Sequence, residues 1–205
     1  ELLADIEPEL FDNAGGIAKN DPQTVTALIK LLLLSGLGMT IAGGSYPASQ
    51  GEHIIAHAYN MLKHTSDKIK VKGEFHTLHG EEIGITTLYM AKLQAKLLNG
   101  KAKFRTEQLD ESYITNLFGG ELAQDFKQVF AKKLALISNA PSAKWDEIRG
   151  KIEQVMIPPY QIENILRKSE SPMTIESIGW NEQDFTTACA TARFTRDRFT
   201  FLDIR

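Results

Sequence analysis

From Asp21 onward the apolar residues of this chain recur at three- and four-residue spacing, and no stretch alternates at period two. That periodicity commits the backbone to helices, because a strand would need its apolar face on every second residue. Asp21 and Pro22 form an N-cap and first-turn pair. Val25, Leu28, Ile29, Leu32, Leu33 and Met39 follow at helical spacing. Their apolar positions nearly encircle the helix, which predicts a central, buried element. Ala42-Gly43-Gly44-Ser45-Tyr46-Pro47 breaks it. Further helices are expected over 51–65, 81–98, 107–117, 121–134, 142–156, 159–168 and 181–199, with a charged loop over 66–74. In the 81–98 helix Ile83, Leu88, Ala91 and Ala95 are expected to face inward, and Asn99-Gly100 ends it. Gly119-Gly120, Pro141, Pro158-Pro159 and Gly179 punctuate the rest. The predicted class is all-α, a multi-helix bundle, with residues 1–205 as one domain.

Composition narrows the function. The chain has 205 residues, 42% hydrophobic and 24% charged, with a formal charge of −3. That is globular composition without a basic stripe, which argues against nucleic acid as a partner. The single cysteine, Cys189, excludes an intramolecular disulfide and fits a reducing compartment such as the cytoplasm. The apolar stretch from Ala27 to Ala42 contains Lys30, Ser35, Gly36 and Gly38, and reads as too short and interrupted for a bilayer span. The start, ELLADIEPEL, is acidic, unlike a signal peptide, and its first residue is Glu, which suggests a fragment or a processed chain. There is no GxGxxG after a strand and no Walker loop, so most of any nucleotide must be bound elsewhere.

The chemistry concentrates in the histidines. All five lie between His53 and His79. His53 and His57 are four apart and share a helix face. His79 opens a later helix after a loop long enough to fold back. Two imidazoles from one helix and one from the next make a tripod suited to Zn²⁺, Fe²⁺ or Ni²⁺, often completed by a carboxylate. Glu52 precedes the pair, so this is not the HExxH of zinc proteases. An isolated H-x-x-x-H is more often structural than metal-binding, and the downstream His79-Gly80-Glu81 is what strengthens it. His64, after Lys63 at a helix end, suits the helix dipole, and His76 reads as loop surface.

The run Ser35-Gly-Leu-Gly-Met-Thr-Ile-Ala-Gly-Gly-Ser-Tyr-Pro-Ala-Ser-Gln-Gly-Glu-His53-x-x-x-His57, with Leu78-His79-Gly80-Glu81, resembles the sn-glycerol-1-phosphate dehydrogenase family. That family shares a superfamily with glycerol dehydrogenase, iron-containing alcohol dehydrogenases and 3-dehydroquinate synthase. The tail Thr191-Ala-Arg-Phe-Thr-Arg-Asp-Arg-Phe-Thr-Phe-Leu-Asp203 and the Leu166 to Trp180 segment resemble the same family. The resemblance implies a two-domain enzyme, of which this chain would be the helical, metal-carrying C-terminal domain without the Rossmann-like NAD(P)-binding domain. It implies His53 and His79 as metal ligands, with zinc favoured over nickel or iron, and His57 as the catalytic, substrate-binding residue. Cofactor-binding residues are not placed. The family's third ligand is an aspartate; Asp5 and Asp12 do not stand in its expected setting, and it is expected upstream of Glu1.

The implied activity is metal-assisted hydride transfer between a nicotinamide cofactor and a glycerol-type polyol, its ketone or their phosphate, with homo-oligomers compatible. This chain alone is expected to bind NAD weakly or not at all and to be inactive. Two departures bear on the substrate. Tyr46 stands where the family usually has Arg, a natural phosphate partner, and Gln50 stands where Gly is usual. Two alternatives remain open: a 3-dehydroquinate synthase-like lyase on the same site, and a non-catalytic helical module for metal binding or association.

Overall fold

The computed structural model describes residues 3–66, 77–100, 102–138 and 145–205. The order is α1 (Glu7–Asp12), α2 (Gly15–Ala18), α3 (Pro22–Ala42), α4 (Gly51–Ser66), α5 (His79–Leu98), α6 (Glu111–Phe118), α7 (Gly120–Ser138), α8 (Trp145–Glu153), α9 (Pro159–Lys168) and α10 (Glu182–Thr191). Short 3-10 turns follow at Glu176–Ile178, Ala192–Phe194 and Phe201–Asp203. Among the described residues there is no strand; one isolated bridge joins Phe104 to Ile204. The protein is all-α.

Local chemistry accounts for most of the boundaries. The Asp21 carboxylate accepts from the Thr24 amide at 2.8 Å and starts α3. Gly43, at φ 68°, ends it in a left-handed turn, with the Gly44 amide reaching back to Met39 O. Asp110 and Asn181 cap α6 and α10 in the same way as Asp21. The short α1 and α2 carry no strong periodicity and were not expected. The expected charged loop lies almost wholly outside the described residues, as do His76 and Pro141.

α4 is the central helix. Ile54, Ile55, Ala58, Tyr59 and Leu62 are buried against Met90 of α5, Ile114 and Phe118 of α6, Phe126 of α7 and Ala188 of α10. Tyr59 stacks on Trp180 with ring centroids 3.9 Å apart, and its hydroxyl accepts from the Asn181 amide at 3.1 Å. A Cβ at Gly51 would meet Met90 Cε at 2.5 Å, so glycine lets the start of α4 close on α5. In α5, Leu88 and Ala91 are buried and Ile83 packs on the core, while Ala95 is only half-buried.

Two expectations are corrected. α3 is not buried: Thr24 and Ala27 are its buried residues, and Leu33 is 69% and Ile41 71% exposed, with Ile29, Leu32 and Leu37 exposed beside them. It packs on α1 and α2. An all-round apolar pattern measures how much surface wants cover; it does not supply the cover. Starting at Pro22, α3 is also long and apolar enough to cross a bilayer by length and composition, where the stretch from Ala27 was expected to be too short and interrupted. The helix expected over 181–199 stops at Thr191. The chain then tightens into the 3-10 turn Ala192–Phe194, where Arg193 pairs with Asp203.

That pairing pins the tail. Lys133, Arg193 and Asp203 are essentially buried. Asp203 Oδ1 lies 3.0 Å from Lys133 Nζ and 3.3 Å from Arg193 Nε. Asp203 Oδ2 accepts from the Thr200 amide at 3.0 Å, and Arg193 Nη2 donates to Arg105 O at 2.7 Å. The Arg193 guanidinium stands 5.0 Å from the rings of Phe130 and Phe194. Burial pushes the Lys133 ammonium below its usual range, and the Asp203 carboxylate opposes that shift.

Candidate functional site

One polar stripe interrupts the apolar surface of α4. His53, His57, Asn60 and His64 recur at four- and three-residue spacing and so share a face. The first three of them face the start of α5. The Glu81 carboxylate accepts from the Leu78 amide at 3.0 Å, capping α5 and fixing His79 as its first residue. Three imidazoles thereby converge. Ring centroids are 5.4 Å apart for His53 and His79, 5.5 Å for His57 and His79, and 6.4 Å for His53 and His57. His64 lies exposed in the last turn of α4, apart from this group.

Two of the imidazoles are held by carboxylates. His53 Nδ1 stands 2.9 Å from Glu52 Oε1, and His79 Nδ1 3.1 Å from Glu82 Oε2. An ionised carboxylate can only accept, so each histidine must carry its proton on Nδ1 to make the bond. The neutral ring then presents the Nε2 lone pair outward. Burial raises the Glu52 carboxyl, but hydrogen bonds from His53 and from the Gln50 amide outweigh it and hold the group below its usual range. Glu82 is buried and also accepts from Asn60 Nδ2 at 3.1 and 3.3 Å.

His57 is different. Burial first, then the neighbouring His79, Arg196 and His53, hold its imidazole below the ordinary histidine value, with Glu82 opposing. Near neutral pH it is therefore a neutral ring able to take up a proton.

Carboxylate–histidine pairs are the outer-shell arrangement that fixes the tautomer of metal-binding imidazoles. As a donor set it is partial. Among the described residues no group of three or more His, Cys, Asp and Glu side chains is disposed to hold a metal ion. Two imidazoles fall one short of the three protein ligands typical of catalytic zinc. Asp12 ends α1, a helix that packs on α3.

The bend before α4 is tied to the tail. Arg198 Nη1 donates to Ser49 O, Nη2 donates to Ser45 Oγ at 3.2 Å, and the guanidinium lies 5.0 Å from the Tyr46 ring. Gln50 Nε2 donates to Tyr46 O at 2.6 Å.

The site brings together His53, His57 and His79 as the spacing suggested. It adds Glu82, Asn60 and Arg198, which sequence reasoning did not single out. Glu82 and Asn60 were within reach of it: Glu82 is three residues after His79, and Asn60 seven after His53, both on the histidine faces. Arg198 gave no such signal, since its partners lie about 150 residues away.

No family model matches the chain. Curated relatives do. It is 30% identical over 115 residues to the glycerol-1-phosphate dehydrogenase (NAD(P)+) of Methanosphaera stadtmanae, covering 51% of this chain and 30% of that protein. It is 41% identical over 81 residues to the enzyme of that name from Thermococcus kodakarensis, covering 40% of this chain and 20% of that protein. With that of Pyrococcus horikoshii it shares 44% over 69 residues, covering 34% and 17%. The chain thus spans less than a third of the length of these curated relatives. Its sequence is similar to glycerol-1-phosphate dehydrogenases over part of their length.

Proposed function

We propose that this chain is the histidine-bearing helical portion of an NAD(P)-linked dehydrogenase acting on a glycerol-type alcohol, its ketone or their phosphate, with His53 and His79 as ligands of a divalent ion. The observation that carries the proposal is the convergence of three imidazoles, two of them with Nδ1 committed to a carboxylate. The names of the matched relatives supply the reaction class.

When bound, the ion would supply Lewis-acid polarisation of the substrate oxygen and the nicotinamide would accept hydride. Zinc is the ion we propose, with nickel or iron as alternatives that imidazole also suits. The rest falls to the chain's own residues. Glu52 and Glu82 hold His53 and His79 in the tautomer that leaves Nε2 free. Neutral His57 takes the proton of the substrate hydroxyl as the alcohol becomes a ketone, and returns it in the reverse direction. Arg196, whose charge bears on His57, is the candidate partner for an anionic substrate end.

A chimera tests the reading. The 81-residue stretch of the Thermococcus kodakarensis relative that matches this chain is replaced by this chain's own residues. The folded chimera is expected to form NADH or NADPH from glycerol 1-phosphate, and His53→Ala to abolish that. A folded chimera without turnover, or one indifferent to His53→Ala, refutes the proposal.

A further inference from the structure

Between the buried anchors Arg193 and Asp203 the tail runs past the bend that leads into α4. Thr195 and Thr200 are buried, and Phe199 lies edge-on to Phe104 at 5.5 Å. Lys103 and Arg205 exchange backbone hydrogen bonds at 2.7 and 2.8 Å. The tail is therefore fixed on both sides of Arg198, and the Arg198 side chain crosses to the bend.

We infer that Arg198 is a positioning residue, clamping the bend so that Glu52 holds His53 in its Nδ1–H tautomer. The chain of contacts is continuous. Arg198 fastens Ser49 O and Ser45 Oγ and covers the Tyr46 ring. Its Nε is buried and meets no acceptor, so the two terminal nitrogens carry the polar tether. The next residue, Gln50, donates its amide to Glu52 Oε1 at 2.7 Å. That same oxygen accepts from His53 Nδ1. Ser49 thus sets where the Gln50 amide points, the amide sets where Oε1 stands, and Oε1 sets which nitrogen of His53 carries hydrogen. A guanidinium fits this task because its planar fork reaches two oxygens at once while stacking on an aromatic ring. His79 has no part in the chain of contacts. Its carboxylate, Glu82, is braced by Asn60 from α4.

The inference takes His53 to be a site residue, as proposed above, but its test needs no metal, nucleotide or turnover, so the two fail separately. Side-chain ¹⁵N–¹H NMR of the 205-residue chain, metal-free and at one fixed pH, reports the tautomer of each histidine. In wild type His53 and His79 are both expected as Nδ1–H. In Arg198→Ala the His53 population moves toward Nε2–H while His79 stays unchanged. Arg198→Gln keeps the bulk of the stem but loses the charge and the fork; it is judged by the same criterion if the alanine variant does not fold. An unchanged His53 overturns the inference. So does an equal shift of His79, which would mark a general loosening rather than a clamp.

Discussion

Removing the Asp203 carboxylate should cost far more than removing any exposed charge on this protein. Lys133 is 1% and Arg193 0% exposed, and both point at Asp203, itself 0% exposed. In Asp203→Ala two cations stay buried without their carboxylate, left to the backbone carbonyls of Arg193, Arg105 and Glu107 and the rings of Phe130 and Phe194. Breaking a buried pair from one side costs about 3–5 kcal/mol, because the partner's desolvation is no longer repaid. For a chain of this size, about 2–4 °C per kcal/mol turns that into a fall in Tm of about 6–20 °C. The lost Thr200 cap adds to it in the same direction. By contrast Lys151 and Glu147, 72% and 63% exposed at i,i+4 spacing, should yield about 0.5 kcal/mol or less when separated. Urea and thermal unfolding followed by circular dichroism measure both. The double variant Asp203→Ala/Lys133→Met should recover part of the loss, since one uncompensated cation goes. A single-variant cost below about 1 kcal/mol, the level of an exposed pair, would refute the reasoning.

The remaining predictions concern the thiol, the His57 imidazole and the outer carboxylate. Burial pushes the Cys189 thiol up to about 12 and the neighbouring Tyr89 hydroxyl to about 12. Folded protein should therefore resist thiol reagents at pH 8 and react on unfolding. The raised values contribute stability that is complete below the free thiol's pKa of about 8.5 and declines as pH rises from there toward 12. Urea midpoints at pH 7 and pH 10 will show it, and Cys189→Ala should shrink the difference. Arg196→Ala should raise the His57 pKa, since Arg196 helps depress it, and an NMR titration of the histidines in the 205-residue chain will show it. Glu82→Gln should weaken Co²⁺ binding by about 10–100-fold while leaving the fold intact, read by titration and circular dichroism.

The sequence was most legible where one residue decides a local event. Asp21 and Gly43 bracket α3, and Pro159 and Lys168 bound α9 where the pattern put them. His53, His57 and His79 were legible because helical spacing fixes a shared face and a helix start fixes a direction. Burial of α3 was not, since its apolar side chains say that cover is wanted but not from where. Nor was the end of α10. Helical periodicity runs on past Thr191, but there the structure places Arg193 against a carboxylate ten residues ahead and a lysine sixty behind. Arg198 was illegible for the same reason: long-range polar contacts leave no periodic trace.

The most direct test of the account is a Co²⁺ titration of the 205-residue chain, followed by its d–d absorption. One ion per chain is expected, held weakly by an incomplete ligand set. Binding should fall by more than about 10-fold in His53→Ala and in His79→Ala, and stay unchanged in His64→Ala. A wild-type chain that takes up no ion, or loses it equally with His64→Ala, would contradict the account.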